Sequence, residues 1–233
     1  MPKRTSLSVV RHIADADLDW ITELAHQREL DVRTISPYAG ERFPAPDTVE
    51  AAVVLGGPMS AVDASAHPFL ALERDWIRAL VEARTPVLGI CLGSQLLADA
   101  LGGAAQTGAS GLEWGLVEVR SEAETSHPLA AALAGPAFAF HSDTFQLPPG
   151  ATVLARSERY IQAWSLGAAL AIQFHPEISP SGIQVLVDHE ADKLAAIGID
   201  GPEMVREAWT RERDSRDAAE RIIGGWLDLP TRP

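Results

Sequence analysis

Short apolar runs and helical stripes take turns along the N-terminal part of this chain. Leu7 to Val10 is a short, mostly apolar run that suits a buried strand. Ala16 to Glu29 carries Leu18, Ile21, Leu24 and Ala25 at helical spacing. Val32 to Ile35 predicts a second strand, and Pro37 to Pro46 a loop punctuated by proline and glycine. Ala51 to Leu55 predicts a third strand, which runs straight into Gly56-Gly57-Pro58. Pro68 to Ala83 reads as a helix with Leu72, Trp76, Leu80 and Ala83 on one stripe. Pro86 to Ile90 is another buried strand, and Ser94 to Leu101 a helix stopped by Gly102-Gly103. Such alternation predicts an α/β fold: a mainly parallel sheet with helices on both faces.

Beyond residue 103 the pattern changes. Trp114 to Val119, Ala137 to Phe140, Thr152 to Ala155, Ile161 to Trp164 and Ala169 to Phe174 predict strands joined by turns. The tail returns to helix, over Ile183 to Ala196 and Pro202 to Leu227. Within it, Arg211 to Arg221 is rich in charge but has apolar partners at Ala218, Ala219, Ile222, Ile223 and Trp226, the signature of a solvated helix face.

A length of 233 residues is within reach of one large domain, and residues 181–233 are expected to be its helical C-terminal extension. With 32 acidic and 19 basic residues the net charge is -13. That disfavours nucleic acid and anionic membranes as partners, since both need clustered Lys and Arg. No apolar run approaches the ~18 residues of a membrane span, and Met1 to Arg11 has no signal-peptide core. A lone cysteine, Cys91, excludes an intrachain disulfide. These features lead to the expectation of a cytoplasmic protein.

That cysteine stands in the sharpest motif. In Gly89-Ile90-Cys91-Leu92-Gly93-Ser94-Gln95 a buried strand ends where a helix begins, with glycines two before and two after the cysteine. This is the pattern of a nucleophile elbow, which holds a reactive side chain above the end of a sheet. At the helix start the dipole and free N–H groups favour a negative sulfur, and the Leu92 N–H is placed for an oxyanion. The competing reading is a small core cysteine. Gln95, four residues on, shares a helix face with Cys91, beside the nucleophile or facing solvent.

In Gln173-Phe174-His175-Pro176-Glu177 an extended backbone would put His175 and Glu177 on one side. A histidine that takes the thiol proton needs a third group on its other nitrogen, and Glu177 can supply it. A metal reading, with His141 and Asp143 joining this pair, competes, but no catalytic-zinc signature is present. Gly56-Gly57-Pro58 lets backbone approach a ligand closely and leaves the Gly57 N–H as a second oxyanion donor. It is also an ordinary turn.

Together these three blocks, in this order and separation, resemble the signature blocks of class I glutamine amidotransferases over about residues 7–180. Phe140-His141-Ser142-Asp143-Thr144-Phe145 and Gly111-Leu112-Glu113-Trp114-Gly115 are similar to the stand-alone branch related to the glutaminase domain of GMP synthase. The resemblance implies a single-domain, flavodoxin-like architecture. It implies Cys91 as nucleophile, His175 as base, Glu177 as its orienter, and Gly57 and Leu92 as oxyanion donors. Gln95 with the backbone at Ser142 and Asp143 would hold glutamine. The family usually has glycine where Ser142 stands. No cofactor or metal is implied; the implied ligand is glutamine or a γ-glutamyl small molecule, with a separate synthetase as acceptor.

The family's chemistry is attack of the thiolate on the γ-carboxamide, loss of ammonia and hydrolysis of a γ-glutamyl thioester. The sequence contains no Walker A motif for acceptor activation. Three functions compete: the glutaminase half of an amidotransferase, a stand-alone γ-glutamyl hydrolase, and a non-catalytic regulatory domain. Retention of all three triad residues argues against the last. An α/β-hydrolase also uses an elbow, but there the acid precedes the histidine.

Overall fold

The computed structural model describes residues 4–16, 18–62, 64–122 and 125–230, so Met1 to Lys3 of the N-terminal reading lie outside the described residues. Five strands, β1 Ser6–Val10, β2 Asp31–Ile35, β3 Ala52–Val54, β4 Val87–Ile90 and the late β11 Ala169–Ile172, pair in parallel in the order β2-β1-β3-β4-β11. The sheet then continues with antiparallel ladders through β10 Ile161–Leu166, β9 Thr152–Arg156, β6 Glu113–Ser121 and β7 Gly135–His141. The expected parallel core is therefore present and is extended by hairpin-linked strands.

Strand period explains the two faces. Leu7, Val9, Val53, Leu88 and Ile90 point to one side. There they meet Trp20, Ile21 and Leu24 of α1 (Asp19–Gln27) and Ile223 and Trp226 of the C-terminal segment. Val10, Ala52, Val54 and Val87 point the other way, onto Leu70, Trp76, Ile77 and Leu80 of α2 (Phe69–Glu82) and Leu96 and Leu97 of α3 (Leu92–Ala100). Helices thus cover both faces of the parallel part, as the periodicity predicts.

Three local expectations need correction. In α2 the buried stripe is Leu70, Glu73, Trp76, Ile77 and Leu80, while Leu72 is 64% exposed and Ala83 caps the helix end. Trp76 and Leu80 of the expected stripe are buried, but Leu72 was taken for the inner position that the acid Glu73 occupies. Two strands lay outside the reading, β5 Ala104–Thr107 and β8 Asp143–Gln146, which pair only with each other as a two-stranded sheet. The tail is broken more often than its periodicity suggests. It comprises α4 Pro180–His189, α5 Ala191–Ala196, α6 Gly201–Thr210 and α7 Glu212–Ala219, then a π-helical turn over Glu220–Gly224 and a last turn at Gly225–Leu227. Ser179 sets the first boundary, its Oγ accepting from the Gly182 N–H at 3.1 Å as an N-cap. No helix among the described residues is long and apolar enough to cross a membrane.

Candidate active site

Cys91 sits between β4 and α3 with φ 52° and ψ −109°, a left-handed backbone that side-chain-bearing residues rarely adopt. Its glycine frame has a steric cause. A Cβ on Gly93 would lie 2.0 Å from the Val54 carbonyl oxygen, and one on Gly89 would lie 2.5 Å from the Gly93 carbonyl oxygen. Both obstacles are backbone, so the turn closes only without side chains. The Cys91 N–H donates to the Ile172 carbonyl at 2.8 Å, and the Gly93 N–H to that of Leu55 at 3.1 Å, tying the elbow to both neighbouring strands. The Cys91 carbonyl is in turn held by the Ser94 hydroxyl at 2.7 Å.

His175 follows β11 in a bent segment rather than in the extended one expected. Its N–H donates to the Phe138 carbonyl at 2.8 Å, and Pro176 turns the chain. The expected pairing forms nevertheless: Nδ1 lies 2.7 Å from Glu177 Oε1. The ring is also hydrogen-bonded to Cys91. Burial opposes protonation of this imidazole, but the charges of Glu177 and Cys91 outweigh it and raise its pKa well above the ordinary histidine value.

Gly56 lies against both groups. A Cβ there would be 3.0 Å from His175 Cε1 and 3.3 Å from Cys91 Cβ. Gly57 and Leu92 flank the same opening, a cavity of about 430 Å³ lined also by Gln95, Ser142 and Asp143. Gln95 is 3% exposed, which removes the solvent-facing reading, and its Nε2 donates to the Asp143 carbonyl at 3.1 Å. Ser142 is exposed, with its carbonyl taken by the Gly108 N–H at 2.8 Å. The Ser60 hydroxyl donates to Asp143 Oδ2.

His141 does not join His175. Its Nε2 faces Glu113 Oε2 at 3.1 Å and its Nδ1 the Asp143 carbonyl at 3.0 Å. Glu113 also accepts from the Ser157 hydroxyl and from Gln162 Nε2. Burial alone would raise the Glu113 pKa, but these donors, led by His141, bring it below the usual carboxylate value. The ring and carboxylate are committed to bracing the 142–143 segment, and among the described residues no cluster of three His, Cys, Asp or Glu could hold a metal. The sequence reading also missed His12, whose ring contacts the Gly56 carbonyl and Glu73 behind the glycine loop. An acid on the apolar stripe of α2 was the available signal.

The family model described as Glutamine amidotransferase class-I matches residues 20–189. The glutamine amidotransferase-like protein YfeJ of Salmonella typhimurium is 34% identical over 192 residues, covering 78% of each chain. The glutamine-hydrolyzing GMP synthase of Thermus thermophilus is 34% identical over 196 residues, 78% of this chain but only 36% of the synthase. A crystal structure of a glutamine amidotransferase from Thermotoga maritima superposes with a TM-score of 0.89 at 26% identity, covering 98% of this chain and all of that one. With a family model spanning most of the sequence and the elbow, histidine and carboxylate assembled in one cavity, this chain belongs to the class I glutamine amidotransferase family.

Proposed function

We propose that the chain releases ammonia from the γ-carboxamide of glutamine through a γ-glutamyl thioester on Cys91. The observation that carries this reading is the strained Cys91 turn beside His175, whose other nitrogen is held by Glu177 at 2.7 Å. His175 takes the thiol proton and returns it to the departing ammonia. Glu177 orients the ring and stabilises its charged form. The N–H groups of Leu92 and Gly57 stabilise the oxyanion in both the acylation and hydrolysis steps. Gln95 and the backbone at Ser142 and Asp143 hold the amino acid end of the substrate. Residues 181–233 belong to the same domain, a reading supported by the packing of Ile223 and Trp226 in the core cluster that contains Leu7 and Ile21.

A second reading has one observation in its favour. The cavity of about 430 Å³ is in the range that accommodates drug-sized ligands, so a γ-glutamyl amide with a leaving group larger than ammonia also fits. The two readings separate by assay. The purified chain is given glutamine and a panel of γ-glutamyl amides and peptides, and glutamate, ammonia and free amine are measured. Ammonia release from glutamine supports the first reading, whether by the chain alone or after addition of a synthetase partner. Turnover confined to larger γ-glutamyl compounds selects the hydrolase. Folded Cys91→Ala that keeps turning over either substrate class rejects both.

A further inference from the structure

Behind the glycine loop lies a buried ion pair with no part in the chemistry above. His12 follows β1 and Glu73 lies on α2, 61 positions away, and neither side chain has any solvent exposure. His12 Nε2 faces the two Glu73 oxygens at 3.2 and 3.1 Å, while Nδ1 faces the Gly56 carbonyl oxygen at 3.1 Å. Phe69 stacks on the ring with centroids 6.2 Å apart.

The chemistry of these partners fixes the protons. A carbonyl oxygen only accepts, so the contact with Gly56 requires a hydrogen on Nδ1, and a carboxylate at Glu73 takes a second one from Nε2. Burial disfavours that charged ring, yet Glu73 outweighs burial and the His12 pKa is raised. An imidazolium there donates a charge-assisted hydrogen bond to the Gly56 carbonyl.

Peptide geometry carries the consequence into the site. No cis peptide occurs among the described residues, so the Gly56 carbonyl and the Gly57 N–H point in opposite directions. With the carbonyl held on His12, the N–H points away from it, and Gly56, Gly57 and Cys91 all line the cavity. Gly57 also packs directly on the histidine: a Cβ there would lie 2.7 Å from His12 Cβ. Rotation of this peptide plane would instead present the carbonyl oxygen to the cavity, where it would repel an oxyanion.

We propose that His12 and Glu73 are positioning residues, which lock the Gly56–Gly57 peptide so that the Gly57 N–H is preset as an oxyanion donor. The inference rests on the thioester chemistry proposed above. Preset donors matter because they require no reorganisation when charge develops on the attacked carbonyl.

The test uses the full chain. His12→Phe combined with Glu73→Leu removes both charges at similar volume, a replacement that buried ion pairs commonly tolerate. In the folded double variant kcat on the γ-glutamyl substrate is expected to fall about 10²-fold, the cost of one lost oxyanion donor, with KM little changed. Alkylation of Cys91 by iodoacetamide should keep its wild-type rate, since that displacement forms no oxyanion. Glu73→Gln should recover much of the lost kcat, because its amide can donate to Nε2 while Nδ1–H stays on Gly56. Wild-type kcat in the folded double variant overturns the proposal. So does a parallel loss of turnover and alkylation, the mark of a general structural role. Wild-type protein without Cys91-dependent turnover of any γ-glutamyl compound overturns the thioester reading itself, and this inference with it. If the double variant does not fold, nitrogen NMR of histidine-labelled wild-type protein decides: a protonated His12 Nδ1 supports the proposal and an unprotonated one overturns it.

Discussion

Gly56→Ala inserts one methyl group between nucleophile and base. The new Cβ would lie 3.0 Å from His175 Cε1 and 3.3 Å from Cys91 Cβ. Carbon atoms rest at about 3.5–4.0 Å, so the imidazole must retreat by roughly half an ångström and the cysteine by a few tenths. Neither moves freely: His175 is anchored by Glu177 and by the Phe138 carbonyl, and Cys91 by the Ile172 carbonyl. The methyl therefore disturbs the relative placement of the two groups between which the proton moves. A misplacement of about 1 Å costs about 10²-fold in rate, so half of that predicts a fall in kcat/KM of about 10-fold to 10²-fold. In free energy this is about 1.4–2.7 kcal/mol of transition-state stabilisation. The strain on the fold is separate. Overpacking by one methyl costs ~1 kcal/mol, which lowers Tm by about 2–4 °C in a chain of this size. Glutamate release at several substrate concentrations gives the first quantity and calorimetry the second. A variant with wild-type kcat/KM would refute the reasoning, because His175 and Cys91 could not then be poised across Gly56. A Tm drop several times larger would assign the lost activity to unfolding.

Other outcomes follow from the same geometry. Because Glu177 and Cys91 hold the His175 pKa above its ordinary value against burial, the protonated ring survives to higher pH, and kcat/KM should fall only as pH rises through that raised value. Glu177→Gln should shift this descending limb to lower pH and impair turnover less than His175→Ala; an unmoved limb in the pH–rate profile would remove Glu177 from its role. Gly93→Ala should yield no folded protein, since its Cβ would lie 2.0 Å from a backbone oxygen that cannot swing aside, and soluble yield with circular dichroism checks this. A diazoketone analogue of glutamine should add once, at Cys91, by intact mass. Slow addition of the analogue alongside fast iodoacetamide alkylation would reject free glutamine as the substrate.

The chain's own pattern was enough for those features whose causes are local. Alternate residues of Leu7 to Val10 and Val87 to Ile90 must serve two apolar faces, so their composition already encodes helices above and below the sheet. Gly89 is required by crowding against the Gly93 backbone four residues on, and the pairing of His175 with Glu177 spans only two positions, whereas Gly93 is required by the Val54 carbonyl of a neighbouring strand. The remainder depends on which distant segments meet. His12 and Glu73 are 61 residues apart, and each alone reads as a surface group; only the packing of α2 against the loop after β1 makes their joint burial favourable. Likewise the β5–β8 pairing, the hold of Gln95 on the Asp143 carbonyl and that of Glu113 on His141 join segments whose contacts no spacing rule encodes. Leu72 was misplaced for the same reason: hydrophobic periodicity cannot see that a buried partner will compensate an acid on the true inner stripe. Local sterics and period are written in the sequence, whereas compensation between buried polar groups exists only once the chain has folded.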